Sequence, residues 1–264
     1  MKIPIFQVDA FSEKPFSGNP AAVCLLEEEK DDKWLRNMAA EMNLSETAYL
    51  WKLKNGYRLR WFTPTKEVDL CGHATLASAH ILWEAGYLNK EGLAEFSTLS
   101  GILKAERKGD WIELDFPVEL EEPAQIPPEL SQALKASSEY YGKNRMDGLV
   151  LFKSEEEVLN LRPDFEALRK IEVRGIIVTA PSSSKDYDFV SRFFAPRFGI
   201  EEDPVTGSAH CCLGPFWGKR LNKKELIARQ LSTRGGVVRM ILNENRVVLS
   251  GKAVTVFNGE LAIS

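Results

Sequence analysis

The stretch GIEEDPVTGSAHCC, residues 199–212, sets Glu201, Glu202 and Asp203 ahead of Pro204 and the small residues Thr206, Gly207 and Ser208. Two readings are open. In the plainer one these residues open a helix, because carboxylates favour its first turn and proline its first position. In the other the helix start is a seat for an anion. Backbone N–H groups left uncovered by tiny side chains would grip it, and Asp203 would act beside it as an acid/base group. A related pattern stands at CGHATLASAH, residues 71–80, where Cys71, Gly72 and His73 precede Ala74 and Thr75. A thiol at a helix N-terminus is biased toward thiolate, and imidazole changes charge near neutral pH. Each residue also has a bland alternative. Asp203 or Ser208 could be a helix cap, His73 a satisfied interior imidazole, and Cys71 an inert apolar group. Asn19, in SGNP, could bond a substrate or serve a turn.

The elements that must position these residues repeat. RWFTP at 60–64 matches RFFAP at 192–196, and each is followed by a glycine-led run of small residues, at 71–80 and 203–212. Two matched blocks in the same order, half a chain apart, predict two similar halves. In the first half, strands are expected at 3–9 and 20–26, in TAYLWKL and YRLRWF, and near 93–98, 101–107 and 111–116. Helices are expected at 31–43 and at 72–86, the second ended by Gly86. Three prolines in EEPAQIPPEL, 121–130, suggest a linker. The second half offers strands near 147–152, 174–180 and 187–195, short helices near 154–170, a small-residue helix near 206–219, and β-rich sequence to the end. A helix without bulk can lie inside a curved sheet, and neither a strict βαβ rhythm nor a GxGxxG is present.

The chain has 264 residues, 44% apolar and 27% charged, which fits a globular protein with a substantial core. A net charge of −4 argues against a nucleic-acid partner. No apolar run approaches the roughly 18 residues of a membrane span, and MKIPIFQVDAF does not read as a secretory signal. Four cysteines, two of them adjacent (Cys24, Cys71, Cys211, Cys212), do not suggest a disulfide framework. The three histidines make no HExxH, so no metal site is expected. A cytoplasmic protein with reduced thiols is the expectation. Cys211 and Cys212 read as packing, His80 and His210 as core or surface positions, and Phe62, Phe194 and the tryptophans as core, any one of which could wall a cleft.

The segments DAFSEKPFSGNPAAV (9–23), NLSETAYL (43–50), FTPTKEVDLCGHATLASAH (62–80), EDPVTGSAH (202–210) and LSTRGG (231–236) resemble the PhzF family of phenazine biosynthesis-like proteins. The similarity runs along nearly the whole chain. That family is related in fold to diaminopimelate epimerase. The resemblance implies an α+β fold of two pseudo-symmetric domains, each a barrel-like mixed sheet wrapped around a central helix, with the active site in a cleft between them. The halves are expected at 1–117 and 118–264, with the last strand near 253–264 joining the first. It also implies a homodimer and chemistry without cofactor or metal.

Residue by residue, the resemblance places the family's catalytic glutamate at Glu46, its Gly-His pair at Gly72 and His73, and its aspartate and serine at Asp203 and Ser208. Glu46 on sequence grounds alone is a solvated strand residue. As the catalytic base it would relocate a proton on a small carboxylate-bearing substrate, which Asn19, Gly72, Thr206, Gly207 and Ser208 would help to hold. Phenazine-pathway members carry an FAGHPT-like segment, whereas this chain has Leu70-Cys71-Gly72-His73-Ala74-Thr75. Cys71 stands where the epimerase relatives have a catalytic thiol. The leading expectation is therefore a cofactor-independent isomerase using Glu46. The alternatives are an amino-acid racemase or epimerase using Cys71 and Asp203, and a catalytically silent binding protein.

Overall fold

The Ala-rich stretch after Cys71 folds as a helix with almost no solvent face: from His73 to Trp83 every residue except His80 is buried. The computed structural model describes residues 2–262. These fall into two compact units, one running up to Asp115 and resuming at Ser250, the other spanning Phe116–Leu249. The first contains β1 (Ile3–Ala10), β2 (Asn19–Leu26), α1 (Asp32–Met42), β3 (Glu46–Lys52), β4 (Tyr57–Phe62), the two-residue β5 (Glu67–Val68), α2 (Gly72–Glu84), β6 (Ala94–Thr98), β7 (Gly101–Lys108) and β8 (Trp111–Pro117). The second contains β9 (Glu122–Pro123), α3 (Pro128–Leu134), β10 (Tyr140–Lys143), β11 (Asp147–Leu151), α4 (Glu155–Asn160), α5 (Phe165–Leu168), β12 (Gly175–Pro181), β13 (Phe189–Phe194), α6 (Gly207–Leu221), β14 (Glu225–Gln230), β15 (Gly236–Asn243) and β16 (Arg246–Gly251). The last strand, β17 (Ala253–Leu261), pairs antiparallel with β1 in the first unit. Residues 263–264 of the strand expected there lie outside the described residues.

In the first unit β1 and β2 are antiparallel, β2 and β3 parallel, β3 and β4 antiparallel, β4 and β6 parallel, and β6 and β7 antiparallel. In the second unit β10 to β15 run through the same succession: antiparallel, parallel, antiparallel, parallel, antiparallel. The repeat visible in RWFTP and RFFAP is thus a repeat of strand order. Helix α2 packs on β1, β2, β3 and β17, and α6 on β14 and β15. Small side chains make this possible. A Cβ on Gly218 of α6 would lie 2.3 Å from Leu242 Cδ1.

Three prolines act differently from the sequence expectation or beyond it. The segment at 121–130 is no bare linker: Glu122 and Pro123 pair with β10, and Pro128 sits in the first turn of α3, where a missing N–H costs nothing. Pro215, inside α6, removes the bond to Cys211 O, and the backbone N–H of Glu119 occupies that carbonyl instead, at 3.1 Å.

The same fork recurs in both units. Arg60 on β4 donates Nε and Nη2 to the two carboxylate oxygens of Glu67, both at 2.7 Å, and its guanidinium lies 5.1 Å from the Phe62 ring centre. Arg192 on β13 meets Glu202 at 2.7 and 2.9 Å and lies 4.9 Å from the Phe194 ring centre. Each arginine also reaches a neighbouring helix, Arg60 at Asp32 and Arg192 at the carbonyls of Val158 and Leu161. Removing one partner of a largely buried pair strands the other charge. Arg192→Met is therefore expected to cost about 3 kcal/mol and to lower Tm by about 6–12 °C. Arg192→Lys, which keeps the charge and loses the fork, should fall between it and the wild type. An unchanged melting curve for Arg192→Met would remove the fork as a structural element.

Candidate active site

In the first unit three of the residues singled out from the sequence come together. Glu46 opens β3, and the parallel register sets it opposite Ala21, two residues into β2 from Asn19. Asn19 is fully buried at the first position of its strand. His73 is the second residue of α2, and Cys71 is that helix's N-cap. The imidazole lies between the other two: Nδ1 is 3.6 Å from Cys71 Sγ, and Nε2 is 3.3 Å from Glu46 Oε2. The second approach is close without being aligned as a hydrogen bond. The Glu46 side chain is 13% exposed, so it is no solvated strand residue.

Burial pushes the His73 imidazole down to about 3, so it is neutral at physiological pH. With the thiol of Cys71 facing Nδ1, the tautomer that suits both neighbours carries its proton on Nε2, toward Glu46. One donor atom each from Glu46, Cys71 and His73 lies within 4.8 Å of the others, a spacing an ion could exploit.

In the second unit the three acids of the opening stretch have separate fates. Glu201 is exposed, Glu202 forks with Arg192, and Asp203 accepts a hydrogen bond from the Thr206 hydroxyl. None lies in the first turn of α6, whose N-cap is Thr206. The expectation that acids and Pro204 merely open the helix, or that Asp203 or Ser208 caps it, gives way to this geometry. Because Thr206 turns its hydroxyl back to Asp203, the N-cap makes no side-chain bond to the helix start at Gly207 and Ser208.

Three residues that sequence reasoning passed over hold this segment. Gln230, fully buried at the end of β14, donates Nε2 to Asp203 O at 2.7 Å and accepts the Thr206 N–H at 3.0 Å. Arg174 donates Nη2 to Ser208 Oγ at 3.0 Å and forks onto Asp147. A glutamine at a strand end carries no sequence signal, and Arg174 and Asp147 are 27 residues apart in the chain. His210 is core and not surface, its Nδ1 donating to Thr206 O at 2.8 Å, and burial holds it down at about 4. Burial pushes the Cys211 and Cys212 thiols up to about 12, consistent with packing. No disulfide joins cysteines among the described residues, and no helix there is long and apolar enough to cross a membrane.

The model of the family described as phenazine biosynthesis-like protein (PhzC-PhzF) matches residues 8–259. A relative from Halalkalibacterium halodurans, named an uncharacterized isomerase, is 53% identical over 100% of both chains. A crystal structure of a PhzF-family protein from Enterococcus faecalis is 45% identical with a TM-score of 0.96, covering 100% of each chain. A predicted epimerase from Pseudomonas aeruginosa, 20% identical with a TM-score of 0.75 over 99% of each chain, shares the fold.

The buried histidines make stability depend on acid. In the fold His73 and His210 take protons near 3 and 4, whereas an unfolded imidazole does so near 6.5. Between those limits the unfolded chain binds more protons, so stability rises with pH and is lost as pH falls below about 6.5. Urea midpoints should drop between about pH 7 and 5, and ring C–H resonances of both residues should not titrate between about pH 5 and 8. A resonance of either ring moving with a midpoint near 6.5 would contradict their burial as neutral groups.

Proposed function

The chain belongs to the phenazine biosynthesis-like (PhzC-PhzF) family and is an isomerase, and from that premise we propose that Glu46 moves a proton along a small carboxylate-bearing substrate. The observation that carries this reading is Glu46 Oε2 at 3.3 Å from Nε2 of a neutral, buried His73. An imidazolium at that place would attract the carboxylate and oppose its protonation. A neutral imidazole lets Glu46 accept a proton from one substrate carbon and deliver it to another. With its proton on Nε2, the imidazole is free to polarise a substrate oxygen beside Glu46. The proposed step moves only a proton and is written without a cofactor.

Asp203 is proposed to orient the substrate or act as partner in proton transfer, fixed for it by Thr206 and Gln230. Gly72, Gly207 and Ser208 are proposed to present first-turn donors to the substrate carboxylate, with Thr206 and Asn19 completing the polar lining. A homodimer is the proposed assembly. A second reading, racemisation by Cys71 and Asp203, is favoured by one observation: Sγ lies 3.6 Å from Nδ1 of a neutral imidazole, which can accept a hydrogen bond from the thiol and orient it.

The test is deuterium uptake into carbon, followed by proton NMR in heavy water. Small unsaturated or cyclic carboxylates bearing hydroxyl or amino groups form the panel. Wild type should label at least one of them, and a chelator should leave the rate unchanged. Glu46→Gln should lose about 10²–10⁴-fold, with Cys71→Ser within a few-fold of wild type. The reverse order assigns the chemistry to Cys71. Full labelling by Glu46→Gln would remove Glu46 from the mechanism.

A further inference from the structure

The duplicated fold allows a position-by-position comparison of the two candidate clusters. In the first unit Phe62 pairs with Thr47, so Glu46 is the residue just before that pair. In the second unit Phe194, the counterpart of Phe62 in the repeat, pairs with Ile176. The position matching Glu46 is therefore Gly175, which has no side chain. A Cβ there would lie 2.2 Å from Phe193 Cζ. Arg174, one residue earlier, puts its guanidinium 5.5 Å from the Phe193 ring centre. It reaches Ser208, the second residue of α6, as Glu46 reaches His73, the second residue of α2. At matching places in the repeat one unit carries a carboxylate and the other a guanidinium.

We propose that Arg174, anchored by Asp147, is a positioning residue that sets Ser208 as a hydrogen-bond donor to the substrate's carboxylate. The hydrogen-bond directions carry this. Arg174 Nη2 donates to Ser208 Oγ, so that oxygen spends a lone pair on the guanidinium and its O–H is left to point elsewhere. A hydroxyl polarised in this way, in a first turn that its N-cap side chain does not cover, matches an acceptor-only group such as a carboxylate. Asp147 is 1% exposed and takes both Nε and Nη2 of Arg174, which locks the guanidinium while the arginine side chain stays 30% exposed. The assignment rests on the reading that Ser208 meets the substrate, and it names what makes Ser208 able to do so.

The probe is benzoate, titrated into the full-length, 15N-labelled protein, with benzamide as the uncharged control. Benzoate should shift the Ser208 amide resonance and benzamide should not. Arg174→Met should weaken benzoate about tenfold, the size expected for one charge-assisted bond. Arg174→Lys should recover part of that loss. Because Arg174→Met leaves Asp147 buried without its partner, the pair Arg174→Met with Asp147→Asn is measured too, with melting curves to confirm folding. Ser208→Ala should weaken benzoate to the same extent, and adding Arg174→Met to it should cost nothing more. Equal affinity of wild type and a folded Arg174 variant, additive losses, or no benzoate shift at Ser208 in the wild type would each overturn the proposal. The assignment of proton transfer to Glu46 fails separately, on labelling by Glu46→Gln, whatever benzoate does.

On the panel carboxylate that wild type labels, Arg174→Met should raise KM about tenfold and leave kcat within about threefold. A fall in kcat with unchanged KM would show that Arg174 serves the chemistry or the fold, and not the holding of the carboxylate.

Discussion

The site depends on an arginine that fastens a loop to the strand it has just left. In each unit a strand ends in Arg-aromatic-Phe, the chain turns at a proline, and a small-residue helix begins soon after. Loops of this kind are mobile by default. Here Glu67 and Glu202 return to Arg60 and Arg192 through two-pronged bonds, and the Phe62 and Phe194 rings support the guanidinium planes. Glu202 is the residue before Asp203, so the fork fixes the backbone from which the Asp203 carboxylate projects. Glu67 likewise fixes the chain four residues before Cys71. A planar bidentate contact sets orientation as well as distance, which a lysine would not do.

Duplication supplies two such helix starts, and divergence gives them different chemistry. Both helices are built from residues small enough to lie against a curved sheet, as Gly218 against Leu242 shows. What differs is the side chain offered from the adjoining strand start. The first unit offers a carboxylate beside a neutral imidazole and a thiol, all groups able to exchange protons. The second offers a permanent cation beside a hydroxyl, a group that holds and does not titrate. One repeated backbone plan thus carries, at matching places, a carboxylate in one copy and a guanidinium in the other.

Much of this was legible in the sequence because it is written in local patterns. The five-residue repeat anticipated the repeated succession of strand pairings, and the run of small residues anticipated two buried helices. His73 and Cys71 were readable because they adjoin a helix start, and Glu46 because its motif resembles that of a known family. The rest was hidden by distance along the chain. Gln230 meets Asp203 across 27 residues and Arg174 meets Ser208 across 34. Nothing in either local sequence announces these contacts. Where local reasoning misled, at the acids before α6 and the prolines at 121–130, tertiary partners had a stronger hold on the side chains than helix-start preferences.

The helix starts are treated in two ways, and α3, which begins after Pro127, is among the uncapped. Helices α1, α4 and α5 are capped by side chains, from Asp31, Ser154 and Asp164. Helices α2 and α6 start at Cys71 and Thr206 without a side-chain cap. For Thr206 a capping hydroxyl is present and is directed at Asp203 instead. An absent cap forgoes about 1 kcal/mol of stability. Losses of that size are tolerated where packing holds the helix. Both helices are buried along most of their length, so neither needs a cap to persist. Stability has been drawn from packing along the helices, and the two starts go without a side-chain cap.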